Sequence, residues 1–366
     1  MDFRYSSFDP RVAGLKALIR RLHEIFEWLL LQTNGDVEES LNWLERIGLR
    51  YGFFDERFTI DSFRKLLQDE RTVQAAPGGG LQLTRKGERG LRSSALESIF
   101  TNLRKDVGGD HRVAAEGSGA ERLPETRAWS FGDPVDALAT NETLANAVRR
   151  GGVDEIQIAE EDLAVHETEH ASSCATVLLI DVSHSMILYG EDRITPAKQV
   201  ALALTELIKT RYPKDSLDVV LFGDEAWQVP LEELPYVGVG PFHTNTRGGL
   251  RLAREILRKK RQANRQVFMV TDGKPSALTE RNGEIYKNPF GLDRRVVEKT
   301  LEEGDACRRL GIPVTTFMLT DDPTLVEFVE RFTQTNRGRA YYASPDRLGS
   351  FLFVDYIQNR RRRERR

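Results

Sequence analysis

Cysteine is scarce in this chain, which contains only Cys174 and Cys307 among its 366 residues. One lies in a predicted strand and the other in a predicted helix, so we expect two buried free thiols rather than a disulfide. Free thiols are typical of a reducing cytosol. Residues 1–5 also lack the basic segment and apolar stretch of a signal peptide. We therefore expect a cytoplasmic protein rather than a secreted one.

Long apolar runs and a strong net charge are absent as well. No run approaches the roughly 18 residues that a membrane-spanning helix requires. The 53 basic and 56 acidic residues give a net charge of −3, so the composition gives no reason to expect nucleic-acid binding by the chain as a whole. The G-x-x-x-x-G-K-S/T pattern of an ATP-binding loop is missing too. Because no ATPase machinery is visible in the sequence, we expect a protein without enzymatic activity of its own.

A strand-like run that ends in polar residues is the most informative feature that is present. Residues 177–180 are apolar, Asp181 follows, and Ser183 and Ser185 come at alternate positions. Three hard oxygen donors without a thiolate favour a small hard cation such as Mg2+. The same residues could instead form local turns at the end of the strand, as Asp and Ser often do.

Two later segments complete the pattern. Thr244 lies in a loop that leads into a predicted helix, and the apolar run at 266–271 ends in Asp272. At this point the chain resembles the von Willebrand factor type A (VWA) family over about residues 170 to 345. The metal-ion-dependent adhesion site (MIDAS) of that family uses D-x-S-x-S, a Thr on a second loop and an Asp after a later strand. The resemblance implies a site for Mg2+ or Mn2+ formed by Asp181, Ser183, Ser185, Thr244 and Asp272.

The resemblance also implies what such a site binds. Neutral hydroxyl ligands leave a metal short of direct negative charge, so an incoming carboxylate gains from it. In the VWA family an Asp or Glu of a partner protein fills the open coordination position. The chain is therefore expected to dock a protein partner through its metal.

The order of predicted elements favours an α/β fold. From residue 174 onward strands and helices alternate, which is typical of a doubly wound, mostly parallel sheet with helices on both faces. Ligands in such folds bind beyond the carboxyl ends of the strands, where Asp181 and Asp272 lie. The predicted domains are a mainly helical N-terminal region (1–107), a linker and irregular segment (108–165), a VWA domain with the MIDAS (166–359) and a basic tail (360–366).

The predicted elements have the following bounds. Helices are expected at 10–33, from 36 onward, at 58–67, 86–106, 141–148, 194–211, 247–261, 293–310, 323–333 and 345–359. Strands are expected at 156–158, 163–165, 174–181, 217–222, 227–231, 266–271, 312–319 and 340–343. An insertion at 275–292 follows Asp272 closely, so it either determines partner specificity or is a solvated loop. His184 could contact a partner at the rim of the site or be exposed without a role.

Two other motifs suggest alternative functions. His166 to His170 matches H-E-x-x-H, the pattern of zinc hydrolases, which requires a helix to bring both histidines to one ion. In the extended chain predicted here, they would lie about 13 Å apart. The tail at 360–366 contains six Arg and one Glu, so a nucleic-acid-associated protein that uses the tail and the helical region is a second alternative.

Further stretches resemble one intracellular bacterial branch of VWA proteins, in which a helical N-terminal region precedes the VWA domain. These stretches are 169–170, 264–266, 270–275, 316–319, 336–340 and 345–349. Members of this branch are linked with MoxR-type AAA+ ATPases and with the magnesium-chelatase type of ATPase and VWA pair. The resemblance implies an adaptor that docks a client or the ATPase, while the ATPase supplies work for remodelling, complex assembly or metal insertion.

Overall fold

Two compact units divide the chain. One comprises Met1–Gly108 and Cys174–Tyr356, and the other comprises Gly109–Ser173 and Ile357–Arg366. The computed structural model describes residues 10–56, 58–106, 122–129, 138–152, 158–168, 173–190, 192–280, 282–288, 290–320 and 322–364.

Amphipathic helices form the N-terminal region. They are α1 (Pro10–Gln32), α2 (Val37–Tyr51), α3 (Ile60–Asp69) and α4 (Arg85–Asp106), and a hairpin of β1 (Val73–Ala75) and β2 (Leu81–Leu83) precedes α4. Asp36 caps α2 by accepting a 2.9 Å hydrogen bond from the Glu39 backbone N–H. Leu22, Phe26 and Phe63 are fully buried in the core. The helices match the prediction, whereas the hairpin was missed because three-residue strands are too short to show a period.

The second unit contains β3 (Arg122–Ala128), α5 (Thr140–Gly151) and β4 (Ala164–Thr168), with β3 and β4 paired antiparallel. The helix and β4 agree with the prediction. The segment of β3 was instead predicted as linker and irregular chain, because its apolar and polar residues do not alternate. The strand is stabilised by main-chain pairing with β4, which leaves no pattern in the sequence. Most of the predicted linker and most of the strand predicted at 156–158 lie outside the described residues.

A six-stranded sheet forms the centre of the VWA region, in the order β12-β11-β8-β5-β6-β7. The strands are β5 (Cys174–Asp181), β6 (Ser216–Phe222), β7 (Ala226–Val229), β8 (Asn264–Thr271), β11 (Val314–Met318) and β12 (Arg339–Tyr342). Every pairing is parallel except that of β6 with β7. The central β5 is buried along its whole length, as expected for a strand covered on both faces.

The surrounding helices are α6 (Ile194–Arg211), α7 (Thr246–Arg258), α8 (Arg294–Arg309), α9 (Pro323–Asn336) and α10 (Leu348–Glu364). Residues of α7, α8 and α9 share one apolar core with β5 and β8. Phe268, which alternates with the core residue Val267, lies on the opposite face, where its ring packs edge-to-face on Tyr356 of α10 with the ring centroids 6.3 Å apart. The predicted doubly wound α/β fold is confirmed.

Three further predictions can be compared with the structure. Cys174 and Cys307 are buried free thiols, as expected. The segment at 275–292 contains a hairpin, β9 (Ala277–Thr279) and β10 (Ile285–Lys287), and is therefore not merely a solvated loop. The last helix continues to Glu364, five residues beyond its predicted end. Within the described ranges, none of the helices is long and apolar enough to cross a membrane.

Candidate metal site

Asp181 is fixed at the carboxyl end of β5 by two neighbouring segments. Its Oδ1 accepts a 2.9 Å hydrogen bond from the Ser183 backbone N–H, and its Oδ2 accepts a 2.5 Å bond from the Thr271 hydroxyl. Thr271 is the last residue of the adjacent parallel strand β8. The carboxylate is fully buried, so its direction is set by main-chain geometry and by the sheet.

Three hydroxyl groups lie beside this carboxylate. The Ser183 and Ser185 oxygens are 3.1 Å apart, and the Thr244 hydroxyl lies 3.0 Å from that of Ser183. Ser185 donates a 2.8 Å hydrogen bond to Oδ1 of Asp272. The structure thus brings together all five residues that the sequence predicted, although they come from three separate segments.

The loop before α7 holds Thr244 through contacts on both sides. The Thr244 N–H donates to the Ser276 hydroxyl at 3.0 Å, and the Ser276 N–H donates to the Thr244 carbonyl at 3.0 Å. The Asn245 N–H donates to the Gly223 carbonyl at 2.8 Å, while the Asn245 side chain caps α7 at the Gly248 N–H. The position of the threonine hydroxyl is therefore determined by backbone and side-chain contacts outside the metal motif.

Gly273 leaves room for this oxygen cluster. A Cβ atom at this position would lie 2.7 Å from Oγ1 of Thr244 and 3.1 Å from both Oδ2 of Asp181 and Oγ of Ser185. Its φ is not positive, so the requirement for glycine comes from space rather than from backbone conformation. The glycine lets the backbone after β8 approach the three oxygens closely.

Burial and mutual repulsion dominate the electrostatics of the site. Desolvation, and then the neighbouring Asp272, raise the pKa of Asp181 to about 7. Burial likewise raises the pKa of Asp272, against the opposing effects of hydrogen bonds from Ser185 and Arg193. Two buried carboxylates that repel one another are stabilised by an added positive charge. Among the five residues only Ser185 is partly exposed, so access from solvent is on its side.

The donor set fits a hard divalent cation. Hydroxyl and carboxylate oxygens are the ligands that Mg2+ and Mn2+ prefer. In the described part of the chain, no three His, Cys, Asp or Glu side chains are grouped so that they could hold a metal. A metal at this place would therefore depend on the three hydroxyl oxygens, as the sequence motif requires.

Sequence reasoning missed three residues that shape the site. Thr271 orients Asp181, Ser276 orients Thr244, and the Arg193 guanidinium donates to Oδ2 of Asp272. Thr271 directly precedes a predicted metal residue, so its position in the motif could have indicated it. Ser276 lies in the same loop as Asp272, between β8 and β9, and Arg193 directly precedes α6, but neither position belongs to the metal motif.

The remaining candidate residues have different surroundings. His184 is exposed next to the hydroxyl cluster. The hairpin β9–β10 is tied to the loop after β6 by an ion pair of Lys287 with Asp224 at 2.6 Å, and Phe290 beyond it is 83% exposed. His166 lies in β4, opposite Thr126 of β3, in an extended conformation and not in the helix that the zinc motif requires.

Comparison with known proteins decides the family. A family model described as the vWA domain of Rv0959-like proteins matches residues 174–357, which is half of the chain. The chain belongs to this family. A second model, the third domain of Rv0959-like proteins, matches residues 121–168. The predicted VWA domain is thereby confirmed, and the segment read as irregular falls within a further domain of the same family.

Longer relatives are known from mycobacteria. The uncharacterized proteins Rv0959 of Mycobacterium tuberculosis H37Rv and Mb0984 of Mycobacterium bovis are each 34% identical to this chain over 312 residues. The match covers 83% of this chain and 46% of each relative. The chain therefore spans about half the length of the curated relatives it matches.

Distant likenesses to solved structures also exist. The PilB minor pilin of Streptococcus sanguinis is 16% identical with a TM-score of 0.42, and covers 57% of this chain and 66% of its own. The vWF domain of the type V pili tip protein Mfa5 from Porphyromonas gingivalis is 12% identical with a TM-score of 0.39. This match covers 52% of this chain and 96% of the Mfa5 domain. The assignment of the family depends on the family model and not on these structures.

Proposed function

We propose that this protein is a non-enzymatic adaptor that binds a divalent cation and, through it, a carboxylate of a protein partner. The observation that carries the proposal is the convergence of three hydroxyls and two buried carboxylates at the carboxyl ends of β5 and β8. A VWA domain suggests a role in protein interaction, and the oxygen-only donor set makes Mg2+ or Mn2+ the expected cofactor.

The neutral and the charged residues of the site would have different roles. Ser183, Ser185 and Thr244 would supply neutral oxygens, while Asp181 and Asp272 would accept hydrogen bonds from metal-bound water. The bound cation would supply a Lewis-acidic position for one carboxylate oxygen of the partner. The burial of four of these five residues leaves the side of Ser185 as the approach for that carboxylate.

The proposal includes a MoxR-type AAA+ ATPase as partner and a cytoplasmic location. The sequence resemblance to the bacterial branch supports the ATPase, and the two buried free thiols fit a reducing compartment. The adaptor would present a client to the ATPase, or the ATPase to a client, during remodelling, complex assembly or metal insertion.

Metal binding is the first test. Isothermal titration of the full chain with Mg2+ and with Mn2+ is expected to show one site, and the double variant Ser183→Ala/Ser185→Ala is expected to bind at least about tenfold more weakly. The matched control is Ser93→Ala/Ser98→Ala, which removes two hydroxyls from α4, remote in sequence from the metal motif. Equal affinity of the wild type and the metal-site variant would contradict the proposal.

Partner capture is the second test. The wild-type chain is used as bait in native lysate with Mg2+, and the comparison is with EDTA and with the Ser183→Ala/Ser185→Ala variant. We expect an AAA+ ATPase or another protein to be captured only with the wild type and Mg2+. The same partners under all conditions would show that docking does not depend on the metal.

A further inference from the structure

Arg193 places a positive charge at the metal site. Its guanidinium donates a short hydrogen bond to Oδ2 of Asp272, with side-chain exposures of 13% for the arginine and 0% for the aspartate. The Arg193 backbone N–H also donates to the Met186 carbonyl at 3.0 Å, in the loop that contains Ser185. The arginine is therefore part of the site, although no position of the family motif assigns it.

The hydrogen bond from Arg193 occupies one oxygen of the carboxylate of Asp272, which is also a candidate metal residue. Oδ1 of Asp272 accepts from the Ser185 hydroxyl at 2.8 Å, and Oδ2 accepts from Arg193. Water on a cation held by the three hydroxyls would have to donate to these same oxygens. A guanidinium a few ångströms from that cation would also repel it, and repulsion is strong in a buried place with a low effective dielectric constant.

We propose that Arg193 is an internal counter-cation of Asp272 that competes with the divalent metal for this carboxylate. Without metal the arginine neutralises Asp272 and keeps the site assembled. Metal binding must displace the guanidinium or share the carboxylate with it, so Arg193 lowers the metal affinity of the chain. The inference rests on the proposed metal site and adds a residue that sets how readily the site is loaded.

The test measures metal affinity in Arg193→Gln. Isothermal titration of the full chain with Mg2+ is expected to give about tenfold tighter binding than in the wild type, because the competing charge is gone. Thermal unfolding without metal is expected at a lower temperature, since Asp272 then lacks its cation, and added Mg2+ should raise it by more than in the wild type. Arg251→Gln, which removes an exposed arginine paired with Glu255, is the control and should change neither quantity.

Each outcome decides the inference. Equal or weaker Mg2+ affinity in folded Arg193→Gln, while the wild type binds, would overturn the role of Arg193 and leave the metal-dependent adaptor intact. Binding by the variant alone would support the competition and contradict metal-dependent docking by the wild type. Binding by neither would overturn both. If Arg193→Gln does not fold, Arg193→Lys, with a shorter side chain, should bind Mg2+ a few-fold more tightly than the wild type, and unchanged affinity would overturn the inference.

Discussion

Two cations at the start of α6, one of them partly exposed and the other fully buried, are stabilised in different ways. Arg193, directly before the helix, donates to the carboxylate of Asp272. Lys198, fully buried in the second turn, donates to neutral oxygens instead. These are the carbonyls of Leu31, Val237 and Pro235 at 2.6, 2.9 and 3.4 Å and Oδ1 of Asn34 at 3.0 Å.

Because their partners differ, we expect the charge of Arg193 to be exchangeable for another cation and the charge of Lys198 to be structural. A carboxylate paired with arginine can accept another cation in its place, so the contact of Arg193 is the one that we propose a metal displaces. The Leu31 carbonyl belongs to the last turn of α1, where carbonyls lack helical partners and the helix dipole favours a positive charge. Lys198 therefore joins the end of α1 to α6.

Removal of Lys198 should have the largest effect on stability. Lys198→Met keeps a similar side-chain length but leaves several buried carbonyl oxygens without a donor. We expect the free energy of unfolding to fall by about 3 kcal/mol, measured by urea unfolding followed by circular dichroism. Mg2+ affinity of the folded variant should stay within about twofold of the wild type, because the metal site is held by other contacts.

Lys209→Met provides the control for this substitution. Lys209 lies on the same helix but is exposed, so its loss should change stability by less than about 0.5 kcal/mol. If Lys198→Met were as stable as this control, the distinction between the two cations would fail. A large change in Mg2+ affinity would instead show that both cations belong to one functional network.

The pH dependence of stability should show a smaller effect of the same lysine. Burial lowers the pKa of Lys198 from 10.5 to about 8, against the opposing effect of Asp192. Between these two values the unfolded chain binds more protons than the folded chain, so folding becomes more favourable as the pH rises through this window. Below the lower value the cost of burying the charge is fully present.

Comparison with Lys198→Met isolates this effect from the other titrating groups. Urea unfolding of both proteins is measured at several pH values between about 7 and 10. The stability advantage of the wild type is expected to grow with pH over this range. An advantage that is constant or declines would mean that the ammonium is not destabilised by its surroundings.

These cations also show what the sequence could not predict. Helix α6 was predicted at 194–211 and lies at Ile194–Arg211, because its apolar residues repeat with helical period. The five candidate metal residues were predicted because three segments, each at a strand end or a helix start, resemble the metal site of the VWA family. Arg193 and Lys198 are polar residues that leave no periodic signal. Asp272, the partner of Arg193, is 79 residues away along the chain, and Asn34, one of the partners of Lys198, is 164 residues away.

The smallest predicted effect on stability comes from a substitution at the candidate metal site, away from Lys198. Gly273→Ala would place a methyl group 2.7 Å from the Thr244 hydroxyl, so the oxygen cluster must widen. We expect Mg2+ binding about tenfold weaker by isothermal titration and a loss of unfolding free energy below about 1.5 kcal/mol. The contacts of Lys198 should be unaffected, because they lie on the side of α1.

Gly78→Ala is the matched control, since among the described residues no heavy atom beyond the glycine and its chain neighbours lies within 4 Å of the added methyl group, and the φ of Gly78 is not positive. It should bind Mg2+ like the wild type. If Gly273→Ala did so too, the three hydroxyls could not be the place where the metal binds, because a methyl group at that distance must move at least one of them. The charge of Arg193 would then be as structural as that of Lys198, and its pairing with Asp272 would only stabilise the sheet end.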